Sequence, residues 1–230
     1  MERTDLLDDI ESARLEERSA NERVILRSAM RSFARKGYAA TTLRSVAAQA
    51  GVTAPMVSYY FKSKENLYLS IAKIVMASVE TEVARALETP NNFREAVEAI
   101  ARAHVELVDR SPSAVQFMLA MLYGPQEGHP EPDLDRMYAA TGRMIAETFD
   151  RGIRSGELKL RAGVTVPFLV DHFASLIHDS VLRRFRRERL LERYPDRREE
   201  IEARLGESSL ELALEHFFFG AGEVPAFQPS

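Results

Sequence analysis

The chain reads as an all-α protein with a small N-terminal helix-turn-helix domain ahead of a larger helical domain. Three observations predict this. Only 21 of the 230 residues are Gly or Pro, and they cluster. The stretches between them repeat their apolar residues at helical spacing. Hydroxyl residues and glycines punctuate the first 70 residues at intervals that suit short helices.

The first helix opens at Ser19, where Ser19-Ala20-Asn21-Glu22 has the form of a capping box. Leu26, Ala29, Met30, Phe33 and Ala34 then share one face, and Gly37 is the expected stop. Thr42 caps a short helix carrying Leu43, Val46, Ala47 and Ala50 and closed by Gly51. Thr53 caps another, with Pro55 in its first turn and Val57, Tyr60 and Phe61 after it. Ser63 opens a longer one, with Leu67, Ile71, Ile74, Val75 and Ser78 as its inward stripe. Thr89-Pro90-Asn91 breaks the pattern, which resumes from Phe93 to Val108. Ser111-Pro112 introduces Val115 to Tyr123, apolar nearly all round and therefore buried. Gly124 to Asp133 holds two Gly and three Pro and is the clearest loop. A helix follows from Leu134 and closes through Gly152 and Gly156. The last two predicted helices run from about Thr165 to Arg187 and from Ser208 to Phe219, the second with a capping box in Ser208-Ser209-Leu210-Glu211.

Composition excludes several classes. With no cysteine there is no disulfide framework, thiolate metal site or thiol nucleophile. The start carries no apolar signal-peptide core, and no run approaches 18 apolar residues, so a cytoplasmic protein with no membrane partner is expected. The net charge of −4 speaks against a uniformly basic coat, yet it is an average. Residues 1–18 carry −4, residues 20–69 carry +6, and the remainder carries −6. Positive charge is thus concentrated on one segment, as binding to a polyanion requires.

That segment contains TLRSVAAQAGVTAPMVSYYF at 42–61, a two-turn helix, a turn at Gly51 and a second two-turn helix. In a helix-turn-helix the first helix braces the turn, and the second offers its N-terminal half to the major groove. By spacing alone an ordinary helical hairpin stays open. Beyond spacing, Glu22 to Leu69 resembles the DNA-binding domain of the TetR family of transcriptional regulators. The residues that carry the resemblance are Phe33, Gly37, Tyr38, Thr41-Thr42, Val46-Ala47, Ala50-Gly51-Val52-Thr53, Val57, Tyr60-Phe61, Lys64 and Leu67. Ser58 stands where many members have Tyr in the middle of the recognition helix, though Tyr59 and Tyr60 follow.

The resemblance implies DNA contacts at Thr42, Arg44, Thr53, Ala54, Pro55, Met56, Ser58, Tyr59, Tyr60 and Lys64. Thr42 and Thr53 place hydroxyls and helix N-termini where a phosphate docks. Arg44 suits a guanine edge or a phosphate. Ala54, Pro55 and Met56 suit thymine methyl groups, Ser58 and Tyr59 the groove or the backbone, Tyr60 a phosphate, and Lys64 a phosphate at the start of the next helix. Core or capping roles are the plain alternative for each.

The resemblance further implies an effector pocket and a two-fold dimer. Pocket candidates are His104, Phe117, Met118, Met121, Leu122, Met137, Tyr138, Met144, Phe168, His172 and Phe173. Interface candidates are Leu169, Leu176, Ile177, Leu182, Leu210, Leu214, Phe217 and Phe218. All of them also read as ordinary core. The expected partners are double-stranded operator DNA, a second copy of the chain and a largely apolar small-molecule effector. No cofactor and no metal are expected: Asp171-His172 and His178-Asp179 lack the i, i+4 spacing of a helical metal pair. The expected organisation is a mobile acidic extension at 1–18, a DNA-binding domain at 19–69, an effector and dimerisation domain at 70–220 and a flexible tail at 221–230. A repressor released by its effector is the leading reading. An activator with the same DNA chemistry, or a helical carrier or enzyme whose hairpin ignores DNA, remains open.

Overall fold

A computed structural model describes residues 18–124, 128–130, 132–206 and 208–221. The mobile extension and tail expected from the sequence fall almost wholly outside these residues. All regular structure among them is helical: α1 (Ala20–Ala40), α2 (Leu43–Ala50), α3 (Ala54–Phe61), α4 (Lys64–Ala86), α5 (Phe93–Arg110), α6 (Pro112–Tyr123), α7 (Leu134–Ser155), α8 (Val166–Arg193), α9 (Arg198–Leu205) and α10 (Ser208–Ala221), with a 3-10 turn at Pro195–Arg197. None is long and apolar enough to cross a membrane.

The chain forms two compact units. The first holds the described residues up to Val79 together with Asp109–Tyr138; the second holds Glu80–Val108 and the described residues from Ala139 onward. The unit containing the helix-turn-helix therefore extends past residue 69 and takes in α6, which packs on α1. Its core is built from Ile25, Leu26, Met30 and Phe33 of α1, Val46, Val57, Phe61, and Leu67, Tyr68 and Ile71 of α4, with Phe117 and Met121 of α6, all buried. Leu26, Met30, Phe33, Val46, Val57, Phe61, Leu67 and Ile71 belong to the faces read from the sequence, while Ile25 and Tyr68 join them and Ile74 stays half-buried; burial of this set accounts for most of the helical stability.

The core of the second unit is aromatic. Phe149 meets Phe93 at 5.7 Å, Phe173 at 5.9 Å and Phe217 at 5.9 Å between centroids, within the range of favourable ring contacts. Gly152 lies inside α7 and does not end it. A Cβ there would stand 2.5 Å from Cδ2 of Phe93, so the glycine admits the ring. The helix ends at Gly156, with φ at 81°. The α8 helix runs six residues past the predicted end at Arg187, and α9 follows unforeseen. The bidentate pair of Arg187 with Glu202, 2.7 Å for each bond, ties the two helices together. The α6 helix begins at Pro112, three residues before the predicted Val115.

Candidate nucleic-acid interface

Local chemistry sets every boundary of the helix-turn-helix. Ser19 accepts from the Glu22 N–H at 3.3 Å and starts α1. Gly37, at φ 77° and ψ 173°, interrupts α1 three residues before its end, so the predicted stop is a kink. Thr42 and Ser45 cap α2 reciprocally: the Ser45 N–H donates to Thr42 Oγ1 at 3.1 Å and the Thr42 N–H to Ser45 Oγ at 3.2 Å. At the other end Val52 N–H donates to the Ala47 carbonyl and Gly51 N–H to the Ala48 carbonyl, with Gly51 left-handed at φ 69°. That double closure requires a residue at ease with positive φ. Thr53 Oγ1 accepts from the Met56 N–H at 3.4 Å and opens α3. Ser63 Oγ accepts from the Asn66 N–H at 3.0 Å at the start of α4.

Packing then decides which side chains face outward. Val46 and Ala47 of α2 and Val57 and Phe61 of α3 are buried, and Ser32 of α1 donates to Gln49 of α2 at 2.6 Å. On α3 this leaves Pro55, Ser58 and Tyr59 exposed on one face, at i, i+3 and i+4. Tyr59 is 72% exposed, far beyond what packing would leave for a ring. Thr42, Arg44 and Thr53 are exposed as well, while Ala54, Met56, Tyr60 and Lys64 are half-buried. The ten candidates therefore lie on α2, α3, their caps and the first residue of α4.

Two of them are held from behind. The Tyr60 hydroxyl accepts from Ser19 Oγ at 2.9 Å. Lys64 Nζ donates to the Tyr38 carbonyl oxygen at 3.0 Å and stands 4.0 Å over the Tyr38 ring. Sequence reasoning missed Lys62, the hinge between α3 and α4. Its φ of 64° and ψ of −48°, with the Ser63 N–H donating to the Phe61 carbonyl at 2.7 Å, make a γ-turn of the strained kind. No glycine marks it in the sequence, so no local signal was available.

The effector-pocket candidates do not form one group. Phe117, Met118 and Met121 are buried in the first unit, with Leu122, Met137 and Tyr138 half-buried there. Burial, and after it Tyr123, pushes the Tyr138 phenol up to about 12. Its oxygen is buried without a partner among the described residues. In the second unit Phe173 is core, His104 and Met144 are half-buried, and Phe168 and His172 are exposed. His104 Nδ1 donates to the Ile100 carbonyl at 2.8 Å. Burial, opposed by that bond and helped by His178, holds its imidazole below the ordinary value. Of the interface candidates, Leu169, Ile177, Leu214 and Phe217 are buried within the unit, Leu176, Leu210 and Phe218 are half-buried, and Leu182 is 40% exposed. Among the described residues, the exposed large apolar side chains of α8 and α10 are Phe168, Leu182 and Leu212. Phe168 stacks on His172 and His172 on Phe217, at 5.9 and 5.8 Å.

Residues 25–71 match the family model described as bacterial regulatory proteins, tetR family. The regulator BetI of Rhizobium meliloti is 23% identical over 133 residues, 58% of this chain and 64% of BetI. The chain thus spans less than two thirds of the length of the curated relatives it matches. Among solved structures, FadR of Bacillus subtilis in complex with stearoyl-CoA superposes with a TM-score of 0.65 at 19% identity, covering 86% of this chain and 97% of that one. AibR in complex with isovaleryl coenzyme A and operator DNA superposes with a TM-score of 0.58 at 20% identity, covering 70% and 85%. Such identities establish a common helical fold, and the family match falls on the segment whose caps, turn and outward face are described above. The match to the tetR family model of bacterial regulatory proteins thus rests on residues 25–71, the helix-turn-helix segment of this chain.

Proposed function

We propose that the chain is a homodimeric transcriptional repressor that binds a palindromic operator through α2 and α3 and leaves it when a small molecule binds the helical remainder. The observation that carries the reading is the outward face of α3, where Pro55, Ser58 and the 72% exposed Tyr59 stand clear of the core within a segment of charge +6. Such a face costs stability nothing and suits a groove. Arg44 and Lys64 supply a base-edge or phosphate contact and a phosphate contact; Thr42, Thr53 and Tyr60 add hydroxyls to the backbone. Two copies with their recognition helices roughly 34–36 Å apart read successive major grooves of a palindrome. Phe168, Leu182 and Leu212 on the outer side of α8 and α10 support these helices as the dimer face.

A regulator of this kind needs no catalytic group, and its place is with DNA in the cytoplasm. An effector acts by binding one conformer better than the other. FadR and AibR carry acyl-coenzyme A ligands, so acyl-coenzyme A thioesters of short and long chain are the first class to screen by thermal shift.

The test selects a duplex from a random-sequence library with the full chain and measures its affinity at several salt concentrations. Arg44→Ala, Tyr59→Ala and Lys64→Ala each weaken specific binding, and Lys64→Ala flattens the salt slope by about one charge. Unchanged affinity in all three variants overturns the reading.

A further inference from the structure

The Lys64 ammonium is aimed by one ring, Tyr38, which packs against three others, and one of those, His129, lies far along the chain between α6 and α7. Lys64 Nζ takes both the face and the carbonyl of Tyr38. An ammonium has three donors, so with one on the carbonyl and one turned to the ring, one remains for a phosphate. A ring directs a cation only if the ring itself is fixed. Tyr38 stacks on Phe33 at 5.8 Å and meets the edge of Tyr68 at 5.3 Å. Its third aromatic neighbour is His129, at 5.8 Å. Phe33 and Tyr68 are core residues of α1 and α4; His129 lies in the stretch between α6 and α7. His129 Nε2 is hydrogen-bonded to the Tyr68 hydroxyl, with the rings 4.7 Å apart and nearly perpendicular. Burial, and then Tyr38, hold the Tyr68 phenol far above its ordinary titration range, so it stays a neutral hydroxyl able to make this bond. His129 Nδ1 is buried without a partner among the described residues. A buried imidazole nitrogen left unpaired is costly, so the ring is held there against a penalty, and packing alone would favour an apolar residue.

We infer that His129 is a positioning residue for DNA binding: through Tyr38 and Tyr68 it fixes the direction of the Lys64 ammonium toward a backbone phosphate. The inference rests on the DNA-binding reading above. It makes the segment around His129 a control point. Whatever lifts His129 from Tyr68 frees Tyr38 and weakens one phosphate contact, with no change at α2 or α3.

The first measurement needs no DNA. Reductive methylation with 13C labels the five lysines, and Lys64→Arg assigns the Lys64 signal. In the unchanged protein that signal is displaced by the Tyr38 ring current. His129→Ala returns it toward the signals of exposed lysines. Tyr68→Phe, which removes only the hydrogen bond and keeps the ring, moves it part of the way. The second measurement uses the selected duplex. His129→Ala lowers affinity by roughly threefold to tenfold and flattens the salt slope as Lys64→Ala does. The double variant binds no more weakly than Lys64→Ala alone. A merely structural role would lower the melting temperature and leave the slope unchanged. A Lys64 signal unmoved in both variants overturns the inference, as do losses from His129→Ala and Lys64→Ala that simply add. If the unchanged protein selects no duplex, the DNA-binding reading falls and this inference with it; additive losses on a duplex that does bind overturn this inference alone.

Discussion

Ser19 donates from its hydroxyl to that of Tyr60 at 2.9 Å, joining the N-cap of α1 to α3, 41 residues later. The same oxygen accepts from the Glu22 N–H. Ser19→Ala removes both interactions and is expected to cost about 1 kcal/mol from the cap and a further ~0.5–1 kcal/mol from the exposed side-chain bond. Urea unfolding of Ser19→Ala, Tyr60→Phe and the double variant checks this. The two single losses should sum to more than the double loss, because they share one bond.

Lys62 carries the backbone strain at the α3–α4 junction. Glycine accepts its φ of 64° without a Cβ clash. Lys62→Gly should therefore be more stable than Lys62→Ala by about 1 kcal/mol, since both lose the side chain and only one relieves the strain. Equal melting midpoints would mean that the turn stores nothing.

At Gly152 two effects oppose each other. An alanine gains about 1 kcal/mol of helix propensity, but its Cβ would sit 2.5 Å from Cδ2 and 2.7 Å from Cγ of Phe93. Overpacking of a buried ring costs about 1–3 kcal/mol. Gly152→Ala is expected to destabilise, and Phe93→Leu in the same chain should recover part of the loss. A more stable Gly152→Ala alone would show that the ring moves freely.

Acid should reach the second unit through His104. Its folded imidazole is held below the ordinary value by burial, so the unfolded chain takes up a proton first. The stability tied to the neutral ring is complete above about pH 6.5, where a free imidazole titrates, and is lost as pH falls from there toward the lowered folded value. His104→Leu should flatten the dependence of urea midpoints on pH below that point. An unchanged slope would assign the acid sensitivity to other groups.

The helix-turn-helix segment was legible because its signals are local. Thr42, Thr53, Ser63 and Gly51 act within three to five residues of themselves, and the structure places a cap or a turn at each. The overrun of α8 was not legible. Arg186 to Arg193 has no continuous apolar face, and Arg187 is secured by Glu202, a partner 15 residues on in a helix the pattern did not mark. Gly152 misled for a related reason. A glycine inside a periodic helix signals a stop unless the ring that needs its space is known, and Phe93 lies 59 residues away. Leu169, Phe173, Ile177, Leu214 and Phe217 show a different gap. Periodicity says that such a stripe is covered, and only the fold says that the protomer itself covers it.

The division of labour on α3 has an evolutionary consequence. Val57 and Phe61 are buried and hold the helix in place, whereas Pro55, Ser58 and Tyr59 are exposed, the Tyr59 ring meeting its chain neighbours Tyr60 and Lys62. If α3 enters the groove as proposed, substitutions at the second set change what is read at little cost to the fold, whereas substitutions at the first set cost stability. On that reading, drift at three surface positions readdresses the protein to a new site in a genome while its melting temperature stays close to where it was.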